Sequence, residues 1–330
     1  MLFFNSLIMG TLISISSYSW FMMWIGLEIN LLSIIPLFKS HTNLYPVEAT
    51  LKYFITQALA STIILFTIII SMNLTEFFMN YNYWLMMILN SAILTKLGAA
   101  PFHYWFPEVM EGLNWLNSML LLTWQKLAPM ILLMYNLNMP LFFSMIIILS
   151  SIISGIFGIN QTSLRKILSY SSINHISWML ASMLNLKNIW LIYFSIYSII
   201  SINIILIFYY LNIFFIPQLF LILNQNKLIK LLFIFNFFSL GGLPPFLGFF
   251  PKWLVVNNLT ENHFFTLSMV LIISTLITLF YYLRLTFPSL TLNYSESKIF
   301  TSKINKYKII ISNMISLLGL TICTNICSHF

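Results

Sequence analysis

The sequence predicts an all-α polytopic membrane protein, on three observations. Hydrophobic residues make up 60% of the 330 positions and charged residues only 7%, against about 45–50% and about 25% in soluble domains. No soluble fold of this length could cover so much apolar surface with so few charges. Apolar runs of the length needed to cross a bilayer, about 18 residues or more, recur along the whole chain. These runs are continuous, as from Leu141 to Gly158, and do not alternate with period two. Only helices and closed barrels satisfy the backbone inside a bilayer, and continuous runs select helices.

Windows of about 20 apolar residues give eleven expected transmembrane helices, at 2–19, 21–38, 50–72, 83–100, 113–135, 141–159, 166–184, 189–212, 228–250, 264–286 and 307–326. The first run follows Met1 without a basic leader or a small-residue cleavage site, so it is expected to be a span and not a removed signal. The connections are short. A basic, Ser/Asn-rich loop over 287–306 precedes the last span, and 1–330 reads as one membrane domain. The abundance of Phe, Ile, Asn, Lys and Met, with no Asp, suggests an A+T-rich coding sequence such as an organelle genome carries. Cys323 and Cys327 share one face of the last run. A disulfide within one helix has poor geometry, so packing or lipid contact is expected for both.

Charge placement sets an orientation. Lys39, Lys52, Arg165, Lys166, Lys227, Lys230, Arg284, Lys298, Lys303, Lys306 and Lys308 fall on the N-terminal side of the expected spans, and Lys187 alone on the other. The positive-inside rule then puts the N-terminus on the cytoplasm-equivalent side, and an odd span count puts the C-terminus opposite. The formal charge of +8 is read as this orientation signal and as a match to anionic lipid. There is no aromatic–basic groove, so nucleic acid is not an expected partner.

Three of the 15 Lys and Arg residues remain: Lys96, Lys126 and Lys252, all within or against apolar spans. Glu28, in Trp24-Ile-Gly-Leu-Glu-Ile-Asn30, is a fourth intramembrane charge. Each costs about 2.5–3.5 kcal/mol to insert, so such groups point to function. A desolvated lysine holds its proton less tightly, and a nearby carboxylate strengthens the hold, so moving a Glu–Lys contact switches proton affinity. The other reading is a set of fixed ion pairs that hold helices together.

The surroundings favour the relay. In Leu122-Thr-Trp-Gln-Lys-Leu-Ala-Pro129, the proline has no N–H for the Gln125 carbonyl. In Ser239-Leu-Gly-Gly-Leu-Pro-Pro-Phe-Leu-Gly-Phe-Phe-Pro-Lys252, paired glycines, a third glycine and three prolines break the ninth span just before a lysine. Interrupted helices in matching places of two halves point to an inverted-repeat transport site. His175 follows Ser171, Ser172 and Asn174 in a polar stripe. It could shuttle protons between lysines or simply satisfy a helix–helix hydrogen bond. His103, between Pro101 and Pro107, is expected in an interfacial loop, with Glu108 and Glu111 facing water. No metal cluster, catalytic triad, phosphate loop, haem or iron–sulfur spacing is expected.

The segments Leu94-Thr-Lys-Leu-Gly-Ala-Ala-Pro-Phe-His103, Leu122 to Pro129, Leu164 to His175 and Leu240 to Trp253 together resemble the chain 2 family of antiporter-like membrane-arm subunits of mitochondrial NADH:ubiquinone oxidoreductase (complex I). The resemblance runs in order to about Arg284. It implies an antiporter-like core over about 21–286 with inverted repeats, whose fifth and ninth spans are broken. It implies a role in proton translocation coupled to NADH oxidation and ubiquinone reduction, with FMN, iron–sulfur clusters and ubiquinone held in other subunits and no cofactor in this chain. The partners implied are the neighbouring antiporter-like and small membrane-arm subunits, with phospholipids including cardiolipin. The implied location is the mitochondrial inner membrane, with the N-terminus in the matrix and the C-terminus in the intermembrane space. Carried over by motif, Glu28 and Lys96 form a modulating pair, Lys126 is the central proton-holding lysine, His175 lies on the polar axis, and Lys252 ends it.

Overall fold

A computed structural model describes residues 1–38, 44–73, 79–223 and 227–291, and the single position Asn313. The expected last span, the basic loop beyond 291, Lys39 and both cysteines lie outside the described residues. The helices fall into two units, divided between Ile146 and Ile147. Among the described residues the only strand-like feature is an isolated bridge between Ser163 and Phe215. Among the described residues, six helical stretches are long and apolar enough to cross a membrane, and two shorter apolar helices accompany them.

The first unit contains α1 (Leu2–Ser16), α2 (Trp20–Phe38), α3 (Tyr45–Asn73), α4 (Met79–Leu97), α5 (Trp105–Gly112), α6 (Trp115–Leu122) and α7 (Trp124–Met134). Helix α1 packs along α2, and α3 packs against α2, α4 and α5. Helix α3 shows how the sequence sorts its faces. Leu51, Ile55, Leu59 and Phe66 are exposed, while Tyr53, Gln57, Ala60 and Ser61 are buried. Lipid accepts the apolar face and the unit's interior accepts the polar one, since polar groups at membrane depth need protein partners.

Helix α8 (Pro140–Ile159) runs across the division. The second unit continues with α9 (Leu164–Met183), α10 (Lys187–Leu211), α11 (Ile216–Leu223), α12 (Lys227–Gly241), α13 (Phe249–Glu261) and α14 (Phe265–Thr291). Helix α9 is buried almost all round. Its Ser169, Ser171, Ser172 and Ser177 hydroxyls donate to carbonyls three residues back, and its remaining polar groups exclude it from lipid. It packs against α10, α13 and α14.

Three helices were not anticipated by hydropathy. Helix α5 lies where a loop is expected, because it is too short and too mixed to register as a span. It buries Phe106, Pro107, Val109 and Met110 and leaves Glu108 outside. Helix α11 spans only about 12 Å at 1.5 Å per residue, and the Gln218 side chain accepts hydrogen bonds from the Phe214 and Phe215 N–H groups before its start. Helix α13 follows the expected ninth span, which does not run to 250: α12 ends at Gly241, and residues 242–248 form a turn. His103 lies in the loop between α4 and α5. It is 2% exposed, stacks on Tyr104 and is held below its ordinary pKa by burial.

Candidate functional site

In the first unit, α6 and α7 follow one another with only Thr123 between them. Thr123 has φ −112° and ψ −70°, and its hydroxyl donates to the Met119 carbonyl at 2.7 Å. The discontinuity therefore falls at Thr123, and Pro129 sits inside α7. Lys126 is the third residue of α7 and is 2% exposed. A cation in the first turn of a helix faces the positive end of the helix dipole. Its ammonium lies over the Phe106 ring, 5.9 Å from the centroid. The unanticipated α5 thus supplies one wall of the Lys126 environment.

Asn30, Tyr53, Gln57, Lys96 and Gln125 converge on a cavity of about 10 Å³, closed by Leu27, Leu31 and Pro129. It draws on α2, α3, α4 and α7. Gln125 Nε2 donates to Asn30 Oδ1 at 2.8 Å, and Tyr53 Oη donates to Gln125 Oε1 at 3.5 Å. Neither Glu28 nor Lys126 lines this cavity, but each is a near neighbour in sequence of a residue that does: Asn30 and Gln125. Glu28 is half-buried, and no direct ion pair joins it to Lys96 among the described residues. The buried face of α2 runs through Met23, Leu27, Asn30, Leu31 and Ile34, and Glu28 stands at the flank of that stripe.

In the second unit, Lys252 is the fourth residue of α13. Its ammonium donates to the Leu240 carbonyl at 3.1 Å and the Gly241 carbonyl at 2.8 Å, and lies over the Trp178 ring at 5.9 Å. These carbonyls close α12, where the last C=O groups lack helical partners. Gly242 has φ +77°, and a Cβ there would stand 2.7 Å from Lys252 Cδ. A Cβ on Gly248 would run into the Ser239 carbonyl. Only glycines allow the chain to fold back so closely on its own helix end. His175 Nδ1 and Tyr193 Oη are 2.9 Å apart, and the His175 and Tyr197 rings lie 4.9 Å apart. His175, Tyr193, Tyr197, Ser239, Leu240, Gly248 and Pro251 line a second cavity of about 10 Å³. That cavity brings His175 to the turn that precedes Lys252.

Each unit thus places a buried lysine in the first turn of a helix, α7 or α13, that follows another helix closely in the chain. The model of the family described as NADH:quinone oxidoreductase/Mrp antiporter, TM, matches residues 17–278. The chain belongs to this family. Curated relatives sharpen the placement within it. NADH-ubiquinone oxidoreductase chain 2 of Anopheles gambiae is 47% identical, over 98% of this chain and 97% of the relative. The protein of the same name from Aedes aegypti is 51% identical, over 98% and 96%. The chain is an antiporter-like subunit of this chain 2 group. The fold matches a chain of respiratory complex I from Thermus thermophilus with bound aureothin, at TM-score 0.86 and 21% identity, over 97% of this chain and 77% of that one. It also matches a chain of the Mrp complex from Dietzia sp., at TM-score 0.80 and 12% identity, over 97% and 74%.

Sequence reasoning passed over Tyr53, Gln57, Gln125, Tyr193 and Tyr197. The signal for the first two was available: Tyr53, Gln57 and Ser61 recur every four residues, which puts a polar stripe on one face of an apolar helix.

Proposed function

We propose that this chain is a core membrane subunit of respiratory complex I in the mitochondrial inner membrane and takes part in proton translocation coupled to NADH oxidation and ubiquinone reduction. The observation that carries the reading is the repeated placement of Lys126 and Lys252. Both are 8% exposed or less, and both lie in the first turn of a helix that follows another closely in the chain. Buried lysines cost several kcal/mol together, and a group that must exchange its proton gives that cost a use. Glu28, Lys96, Lys126, His175 and Lys252 form the proposed relay, with Glu28 modulating Lys96 through space.

Eleven spans in one membrane domain, the fifth and ninth broken, are part of the same proposal, as is a matrix-facing N-terminus. Single cysteines at Gln161 and Lys187, at opposite ends of α9, test the orientation in a background lacking native cysteines. An impermeant thiol reagent added to the matrix side should modify the first and not the second. The redox groups are assigned to other subunits, so the isolated chain should show no flavin, haem or iron–sulfur absorbance. Anionic phospholipids such as cardiolipin fit the basic side, where Arg165 lies over the Phe214 ring at 4.7 Å and Arg284 donates to the Gln161 carbonyl at 3.1 Å.

The fold likeness to the Mrp chain favours a second reading, a stand-alone cation/proton antiporter, and a purely structural subunit is a third. Purification in mild detergent separates them. A complex I subunit carries flavin and iron–sulfur proteins with it, and vesicles of that preparation acidify on NADH addition. A chain that runs alone, or as copies of itself, overturns the complex I reading.

A further inference from the structure

We infer that Gln57 is a positioning residue of the proposed relay: it anchors one water molecule in the cavity beside Lys96, and that water joins Lys96 to the polar bridge on α7. The inference rests on the proton-translocation reading and adds a residue that hydropathy and charge do not single out.

The cavity is polar where it needs to be. Gln57 is 4% exposed, and its carboxamide Nε2 is buried without a protein partner among the described residues. Leaving such a donor unpaired at membrane depth costs on the order of 1–3 kcal/mol. The cavity is about 10 Å³, which is about the smallest space that holds a water. A bound water needs two to four polar partners. Besides Gln57, the lining offers Lys96, Asn30, Tyr53 and Gln125. Apolar Leu27, Leu31 and Pro129 close the remainder, so the water has a defined place.

The Asn30–Gln125 hydrogen bond, at 2.8 Å, fixes the roof of this pocket. Asn30 is two residues from Glu28 on α2, and Gln125 adjoins Lys126 on α7. Tyr53 adds a weaker bond to Gln125 from α3. Pro129 lines the same cavity and leaves the Gln125 carbonyl without its helical N–H partner. A water held by Gln57 can accept a hydrogen bond from the Lys96 ammonium and donate one to this bridge, so it orients the lysine's proton while the carboxamides take up none. Gln57 takes no proton itself. It acts by holding the water in place.

The test uses the assembled complex in inverted membrane vesicles. Gln57→Leu removes the carboxamide and keeps the bulk, and Gln57→Asn restores a carboxamide. Gln57→Leu should assemble normally yet lower protons moved per NADH at least two-fold and alter the pH profile of pumping. Gln57→Asn should recover most of the ratio. A structure of the parent complex that resolves waters should show one within hydrogen-bonding distance of Gln57 Nε2 and Lys96 Nζ. A dry cavity in that structure overturns the inference. So does a Gln57→Leu complex of reduced abundance whose remaining molecules pump at the parent ratio, which would mark Gln57 as a packing residue. Lys126→Ala, measured alongside, separates the two levels: if it pumps normally, the relay reading itself fails, whereas a Lys126 defect with normal Gln57→Leu removes only the water site.

Discussion

Lys252 donates a 2.8 Å hydrogen bond to the backbone carbonyl of Gly241, the last residue of α12. The ammonium sits at the negative end of one helix while its own backbone starts the next. A cation is favoured at a helix C-terminus and disfavoured at an N-terminus, so opposing dipoles meet at one side chain. The contact also ties the charge of Lys252 to the shape of the break, because the same group satisfies carbonyls that α12 cannot.

The closeness of that fit predicts a sensitive neighbour. Gly242→Ala places a β-carbon 2.7 Å from Lys252 Cδ at a residue with φ +77°. A non-glycine residue in that conformation costs about 1–3 kcal/mol before any clash. The variant should lower the melting temperature of the purified complex and reduce NADH-driven pumping together. A Gly242→Ala complex that melts with the parent would show that the turn is looser than described.

Much of the fold follows from patterns that hydropathy detects, and the exceptions have physical reasons. The long spans register because lipid demands about 20 apolar residues in a row. Helix α9 is the instructive intermediate. Its serines, Asn174 and His175 dilute its hydropathy, yet its burial on nearly all sides accounts for them. Helices α5 and α13 are hidden because a short helix that packs on protein need not be apolar throughout. The lysines were legible because a cation inside an apolar run is conspicuous. Tyr193 and Tyr197 were not, since single uncharged polar residues are common in spans and acquire meaning only from what converges on them.

Helix α5 is fastened by Lys52, whose ammonium lies 2.9 Å from both Glu48 on its own helix and Glu108 on α5. All of these side chains are substantially exposed, at 42%, 65% and 56%. Exposed pairs contribute little to stability and are screened by salt. Glu108→Gln should therefore leave assembly and pumping near the parent level at low salt, with any stability loss vanishing at high salt. A severe assembly defect would mean that this ion triad, and not burial of Phe106 and Val109, holds α5 in place.

His175 offers a cleaner side-chain test. Its Nδ1 meets the Tyr193 hydroxyl at 2.9 Å, while Tyr197 meets the imidazole by its ring. Tyr193→Phe deletes the hydrogen bond that fixes the ring's tautomer, a loss of about 1 kcal/mol or several-fold in rate if the imidazole carries protons. Tyr197→Phe keeps the ring contact and should pump closer to the parent. The pair is read by proton uptake per NADH in vesicles. Equal, small effects of both substitutions would favour a helix-packing role for His175.

The ranking of two substitutions at Lys126 decides between a titrating lysine and a fixed cation. The side chain is 2% exposed and lies over the Phe106 ring, so removing its charge relieves a desolvation cost that a structural ion pair would need to recover. Lys126→Ala should leave the complex assembled and lower coupled pumping by an order of magnitude or more. Lys126→Arg keeps the charge, but guanidinium stays protonated at any working pH and cannot exchange its proton. It should therefore pump little better than alanine. A fixed cation predicts the opposite order: arginine tolerated, alanine lost at assembly. Native gels give the assembled amount, and vesicle proton uptake gives the function of what has assembled. Normal pumping by Lys126→Arg would falsify the relay role of this residue. The buried position would then be explained by attraction to the Phe106 ring face, which either cation can supply.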